Sequence, residues 1–227
     1  MDWAGWPPWY ESNPMSDDPL IGRLVSGLKP VRRRSATADV LIVAALCAVE
    51  LALFLGLGAA RPDMPMAMRS PSFWWKLGSL GLIAVVGGAV AILSFDPAAS
   101  PRRGLRWLVI LIALCLAAGW FVDAARDGLP SLAARLNWRE GLECVSEMSI
   151  LSLPAVIGLG LLMRRSAPTD AGGTALAVGI AAAAWGAFVF VFACPYDDPL
   201  YIALWYAVGC GIVVGLARLI LPPLTRW

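Results

Sequence analysis

The sequence predicts an all-α polytopic membrane protein: a bundle of six transmembrane helices preceded by a short cytoplasmic amphipathic helix. Three observations carry that prediction. Of 227 residues, 59% are hydrophobic and only 15% are charged, whereas soluble domains are nearer a quarter charged. Mean hydropathy is +0.71, which makes the bilayer the expected solvent. Six apolar segments are each near the ~20 residues that a helix needs to cross ~30 Å of hydrocarbon.

The elements follow in order. Residues 1–14, MDWAGWPPWYESNP, carry Trp3, Trp6 and Trp9 without periodicity. They lack the basic start and apolar core of a signal peptide. They read as a disordered extension, or as the product of an upstream start codon with Met15 the true first residue. Residues 15–37 form a cytoplasmic segment. Within it, Asp18 suits a helix N-cap and Pro19 the first helical position. Leu20, Ile21, Leu24, Val25 and Leu28 then fall on one helical face, with Arg23, Ser26 and Lys29 opposite. Pro30 stops the helix. So short a helix is marginal alone in water, so its apolar stripe needs a partner. The residues leave two: the lipid surface, with Lys29 and Arg32 to Arg34 at the headgroups, or a groove on a cytoplasmic protein.

Residues 38–227 form the membrane domain. Its spans are 38–59, 73–95, 105–125, 144–163, 173–193 and 199–221, each helical because backbone groups in hydrocarbon must bond internally. Basic residues set the orientation. Arg23, Lys29, Arg32, Arg33, Arg34, Arg102, Arg103, Arg106, Arg164, Arg165, Arg218 and Arg226 share one side. Arg61, Arg69, Lys76, Arg126, Arg135 and Arg139 lie on the other. The richer side is cytoplasmic by the positive-inside rule, which places both termini inside. The outer connections are a short Pro/Met loop at 60–72, a longer one at 126–143 where LPSLAARLNW suits a surface helix, and the turn around Cys194. The Ala-rich run AVGIAAAAWGA reads as packing surface.

Composition also excludes. There is no histidine, hence no Ser-His-Asp triad, Cys-His pair or His-rich zinc site. The five cysteines, Cys47, Cys115, Cys144, Cys194 and Cys210, form no C-x-x-C pair, which removes the usual dithiol motif and paired-thiolate zinc knuckle. No catalytic residue and no resident cofactor are expected. Inside the spans, Glu50 is central, Lys76 and Asp123 are near outer ends, and Glu147 is one turn into span four. Glu50 is a functional candidate by default, though a protonated Glu50 bonding a neighbouring helix explains it equally well.

Cys47, Cys115 and Cys210 read as small buried apolar residues. Cys144, at the start of span four, and Cys194, at the end of span five, share the outer interface. Glu147 lies at i+3 from Cys144, and Asp197 and Asp198 follow Cys194. Two thiols ringed by acids can pair as a disulfide, hold a soft metal ion or meet an electrophile. The carboxylates are expected to raise the thiol pKa and to suit a cation. Spacing leaves structural pairing and sensing both open.

Several stretches form a pattern: LIGRLVSGLKPVRR before span one, WREGLECVSEMSILSLPAVIGLGLLMRRSAPTD around span four, CPYDDPLYIALWY, and the terminal LPPLTRW. Over residues 15–227 the chain resembles the NrsF-type family of bacterial six-span membrane anti-sigma factors. The two family cysteines fall on Cys144 and Cys194. The resemblance implies a non-enzymatic inner-membrane protein that restrains an extracytoplasmic-function (ECF) sigma factor without touching nucleic acid. The N-terminal helix, with Leu20, Ile21, Leu24, Val25 and Leu28 buried and Arg23 and Lys29 at the rim, would bind it. Cys144 and Cys194 would perceive a heavy-metal ion, an oxidant or a reactive aldehyde, with Glu147, Asp197 and Asp198 as further ligands of a transient metal. Spans four and five, joined inside by RRSAPTDAGG, are the expected coupling element. The competing classes are a membrane thiol oxidoreductase and a small-solute or ion transporter.

Overall fold

The structure is a computed structural model; it describes residue 26 and residues 35–124, 135–166 and 168–225. The N-terminal face of Leu20, Ile21, Arg23, Leu24, Val25, Leu28 and Lys29 lies outside the described residues, as does most of LPSLAARLNW. Among the described residues the chain is all helical. The elements are α1 Ala36–Gly56, the single turn α2 Met64–Ala67, α3 Pro71–Leu93, α4 Arg102–Ala124, α5 Trp138–Arg165, α6 Ala171–Phe190 and α7 Pro199–Leu224. All but α2 are long and apolar enough to cross a membrane.

Local chemistry sets the boundaries. Gly58, at φ 73°, accepts the left-handed conformation that ends α1. Ser70 and Pro71 open α3. Asp170 caps α6 by accepting from the Gly173 amide at 2.8 Å. Asp198 caps α7 through the Leu200 and Tyr201 amides at 2.9 and 3.2 Å, with Pro199 at the first helical position.

Most boundaries move by a few residues from the expected ones, and two of these shifts bear on the cysteines. Helix α5 starts at Trp138 and carries Cys144 in its second turn, so the thiol does not open the span. The polar run WREGLE continues the helix because a helix obeys its backbone hydrogen bonds and its Asn137 cap, while hydropathy reports only the apolar part. Helix α6 stops at Phe190, and Cys194 follows in the connecting turn, its amide bonded to the Phe190 carbonyl at 2.9 Å.

Helix α6 is the centre of the bundle. Its most apolar window is 72% buried, against 6% for α1. It packs on α3, α5 and α7, and small residues let each approach. A Cβ on Gly179 would meet the Val214 Cα of α7 at 3.0 Å. One on Gly186 would collide with Ser152 and the Met148 carbonyl of α5. On the third side, Gly87 of α3 faces Ala181, whose Cα would lie 3.1 Å from an added Cβ. Close backbone approach of this kind is how helices gain dispersion contact in lipid. The AVGIAAAAWGA run is thus packing surface, with Ala181, Ala182, Ala183, Ala184 and Ala187 buried.

Candidate functional site

Four elements converge at one end of the bundle. Helix α5 supplies Cys144, the turn after α6 supplies Cys194, Tyr196 and Asp197, α7 supplies Tyr201 and Tyr206, and α3 supplies Lys76. The expected cysteine pair is brought together: both thiols are reduced and buried in one packed cluster, close enough to influence each other's ionisation. The Cys144 sulfur also lies 3.3 Å from the Tyr201 hydroxyl, and the Cys194 thiol points at the Tyr196 carbonyl at 3.7 Å. Tyr206 is sunk beside Cys194 without completing a hydrogen bond of ordinary geometry.

The aspartates are engaged by cations of the chain itself. Lys76, fully buried, donates to the Tyr196 carbonyl at 2.9 Å and to Asp197 at 3.1 Å. Arg61, equally sunk, donates to Asp197 and to the Cys194 carbonyl, both at 2.9 Å, and forks onto Asp63 at 2.7 Å. Arg135 takes both oxygens of Asp198, at 2.7 and 2.8 Å, and also bonds Asp123. The acids beside Cys194 are therefore matched by the protein's own cations, as buried charges must be. The fork from Asp63 keeps Arg61 firmly charged. Burial opposes ionisation of Asp198, but Arg135 and the two cap amides hold its carboxyl below the ordinary range.

At Cys194 the sign is the reverse of the expected one. Hydrogen bonding from Cys144 draws the Cys194 thiol below its ordinary pKa; burial opposes this, and the Lys76 ammonium assists it. Tyr196 goes the other way, up to about 12, through its bond to the Glu140 carboxylate and burial. A local rule in which acidic neighbours raise a thiol fails at Cys194 because Cys144 and Lys76 reach it from distant parts of the chain.

The donor set for a cation is sparse. Among the described residues no group of three or more His, Cys, Asp and Glu side chains is placed to hold a metal ion. Glu147 shares a helix with Cys144 but is exposed where the thiol is buried, so Tyr201 occupies the position that the i+3 spacing suggested for it. Two adjacent sulfurs remain, a pair suited to soft thiophilic ions.

The other cysteines, Cys47, Cys115 and Cys210, are unpaired and half-buried rather than enclosed. Cys115 and Cys210 line a cavity of about 220 Å³ with Trp75, Ala184 and Tyr206, and no charged side chain borders it. Glu50 does bond a neighbouring helix, accepting from the Trp185 indole of α6 at 2.9 Å. Arg61, Arg135 and Tyr201 were not singled out from sequence. Lys76 and Asp123, charged groups inside spans, were the available signal.

Fold and site together define a class: a six-span helical protein with a paired, reduced thiol site at one end, backed by buried cations. The chain belongs to the family described as negative regulator of sigma F, NrsF, whose model matches residues 24–227. The anti-sigma-F factor NrsF of Caulobacter vibrioides is 30% identical over 89% of this chain and 97% of its own length. The probable anti-sigma-F factor NrsF of Azospira oryzae is 26% identical over 94% of this chain and all of its own. The family is one of regulators rather than enzymes. No solved structure matches the chain.

Proposed function

We propose that this chain holds an ECF sigma factor at the bacterial inner membrane and releases it when the Cys144–Cys194 pair reacts with a thiol-directed stress agent. The observation that carries the reading is the pair itself: two reduced thiols packed in one buried cluster, with Lys76 and Arg61 against the same turn. A neighbouring cation raises the thiolate fraction, and the thiolate is the form that oxidants, soft metal ions and electrophiles attack. A two-electron oxidant would take the hydrogens of both thiols as the S–S bond closes. A soft ion would displace two protons and bridge the sulfurs.

The excess of Lys and Arg on one side of the spans supports a cytoplasmic location for both termini and a periplasmic one for the thiol pair. The sigma factor would then be met by the segment before α1. Leu20, Ile21, Leu24, Val25 and Leu28 would bury into it, and Arg23 and Lys29 would sit at the rim.

Two experiments test this. Leu24→Asp should abolish co-purification of the sigma factor while the purified membrane domain keeps its melting temperature; normal retention sinks the docking assignment. Cys144→Ser and Cys194→Ser should each alter induction of a sigma-dependent reporter by cadmium, diamide or an aldehyde. An unchanged response in both variants removes the pair as the sensor.

A further inference from the structure

Helix α1 is the element to which the cytoplasmic segment is covalently joined, and it is the least embedded of the six spans. Two polar ties, one from α1 and one from the loop that follows it, lead to one place. At mid-span, the Glu50 carboxylate accepts from Trp185 of α6. Past its end, Arg61 donates its backbone amide to the Phe192 carbonyl at 2.8 Å and its guanidinium to the Cys194 carbonyl at 2.9 Å. Between these points the rings are continuous. Trp185 stacks on Phe188 with centroids 5.3 Å apart, and Phe188 meets Phe192 edge-on at 5.8 Å. Both ties therefore grip the segment 185–194 that ends in the reactive thiol.

We propose that Arg61 and Glu50 are positioning residues that clasp α1 to the Cys194 segment, so that reaction of the thiol pair loosens the first span directly. The proposal rests on the anti-sigma reading above and names the route by which its signal travels. The mechanics are short. A disulfide brings two sulfurs to about 2.05 Å, closer than any non-bonded contact, so the pair must draw together, and in the proposed route the Cys194 turn yields toward Cys144. The carbonyl of the same residue is the one Arg61 holds. Moving it misaligns a bond to a buried cation, and such bonds lose strength steeply with geometry. The Glu50 acceptor, costly in hydrocarbon without a donor, keeps its bond to Trp185 while the second tie slackens. In this route helices α5 and α6, which are closely interlocked, serve as the scaffold against which α1 moves.

The test is hydrogen exchange of the full-length protein in liposomes, read by mass spectrometry on peptides covering 36–50. Exchange is compared before and after diamide, which closes the disulfide and is itself reduced to the hydrazine. Disulfide closure, checked on the Cys144 and Cys194 peptides, should speed α1 exchange by about threefold or more. Trp185→Phe removes the indole donor while keeping an aromatic ring to stack on Phe188, and Arg61→Ala removes the guanidinium. Either should make α1 exchange fast before diamide and indifferent to it, while Glu50→Gln, which keeps an acceptor, should respond like the parent. Overturning results are an unchanged α1 in the parent once the disulfide has formed, or a full diamide response in Trp185→Phe. Because Trp185→Phe keeps an apolar ring, it decides the matter even if Arg61→Ala fails to fold. Sigma-factor co-purification, measured on the same samples, reads the anti-sigma proposal separately: a protein that captures no sigma factor yet couples its thiols to α1 would retain the clasp and lose the partner.

Discussion

Replacing Lys76 with methionine isolates the electrostatic part of the thiol site. The Lys76 ammonium and the Cys194 thiol address the same Tyr196 carbonyl oxygen, at 2.9 and 3.7 Å. The two groups therefore cannot be more than about 7 Å apart, and at an effective dielectric of ~20 a unit-charge pair at that separation is worth about 2 kcal/mol. That is roughly 1.5 pKa units, or about a thirtyfold change in thiolate fraction below the midpoint. Lys76→Met should therefore raise the Cys194 midpoint by about that much, and Lys76→Arg should largely restore it. The assay is the pH profile of iodoacetamide alkylation at the Cys194 peptide. Burial slows the absolute rate but does not obscure the midpoint. If reaction needs a rare opening, the rate climbs with pH only until the closed form is itself ionised, and then levels. The plateau thus reports the closed state. In the parent it should begin below the ~8.5 of a free thiol. A complementary change checks the sign: Asp197→Asn removes an anion from Lys76 and Arg61 and should lower the midpoint. A Lys76→Met profile superimposable on that of the parent would refute the claim that this cation acts on Cys194, whatever its effect on stability.

Further consequences follow from the packing and the ion pairs. Arg135→Met leaves Asp123 and Asp198 without the cation they share. Breaking a buried pair costs about 3–5 kcal/mol, so the melting temperature of the purified protein should fall by several degrees; an unchanged value would mean water already screens the site. Gly186→Leu drives a side chain into Ser152 and the Met148 carbonyl. Overpacking costs about 1–3 kcal/mol or more, and thermal unfolding should show it, whereas Gly88→Ala, which meets open space, should be neutral. Glu147→Gln should leave cadmium protection of the thiols against alkylation unchanged, because Glu147 is exposed while Cys144 is buried; a marked loss of protection would restore it as a ligand.

The sequence by itself determined the number of spans, their helical nature and the pair of cysteines worth examining. These are legible because the bilayer imposes a length and a polarity on each segment, and because backbone hydrogen bonds must close locally. Asp198 as a cap with Pro199 behind it is local in the same sense. What the tertiary structure decided is who meets whom at the thiols. Arg61 reaches Asp197 across 136 positions, and Lys76 reaches it across 121. No spacing rule spans such distances, so CPYDDP read alone gave an acidic collar that raises a thiol. The folded chain neutralises that collar and lowers Cys194 instead. Glu147 shows the converse: i+3 neighbours share a side of the helix, but the bundle buries only part of it. Electrostatics at a buried site depends on every charge within a few ångströms, and only packing brings those charges within range.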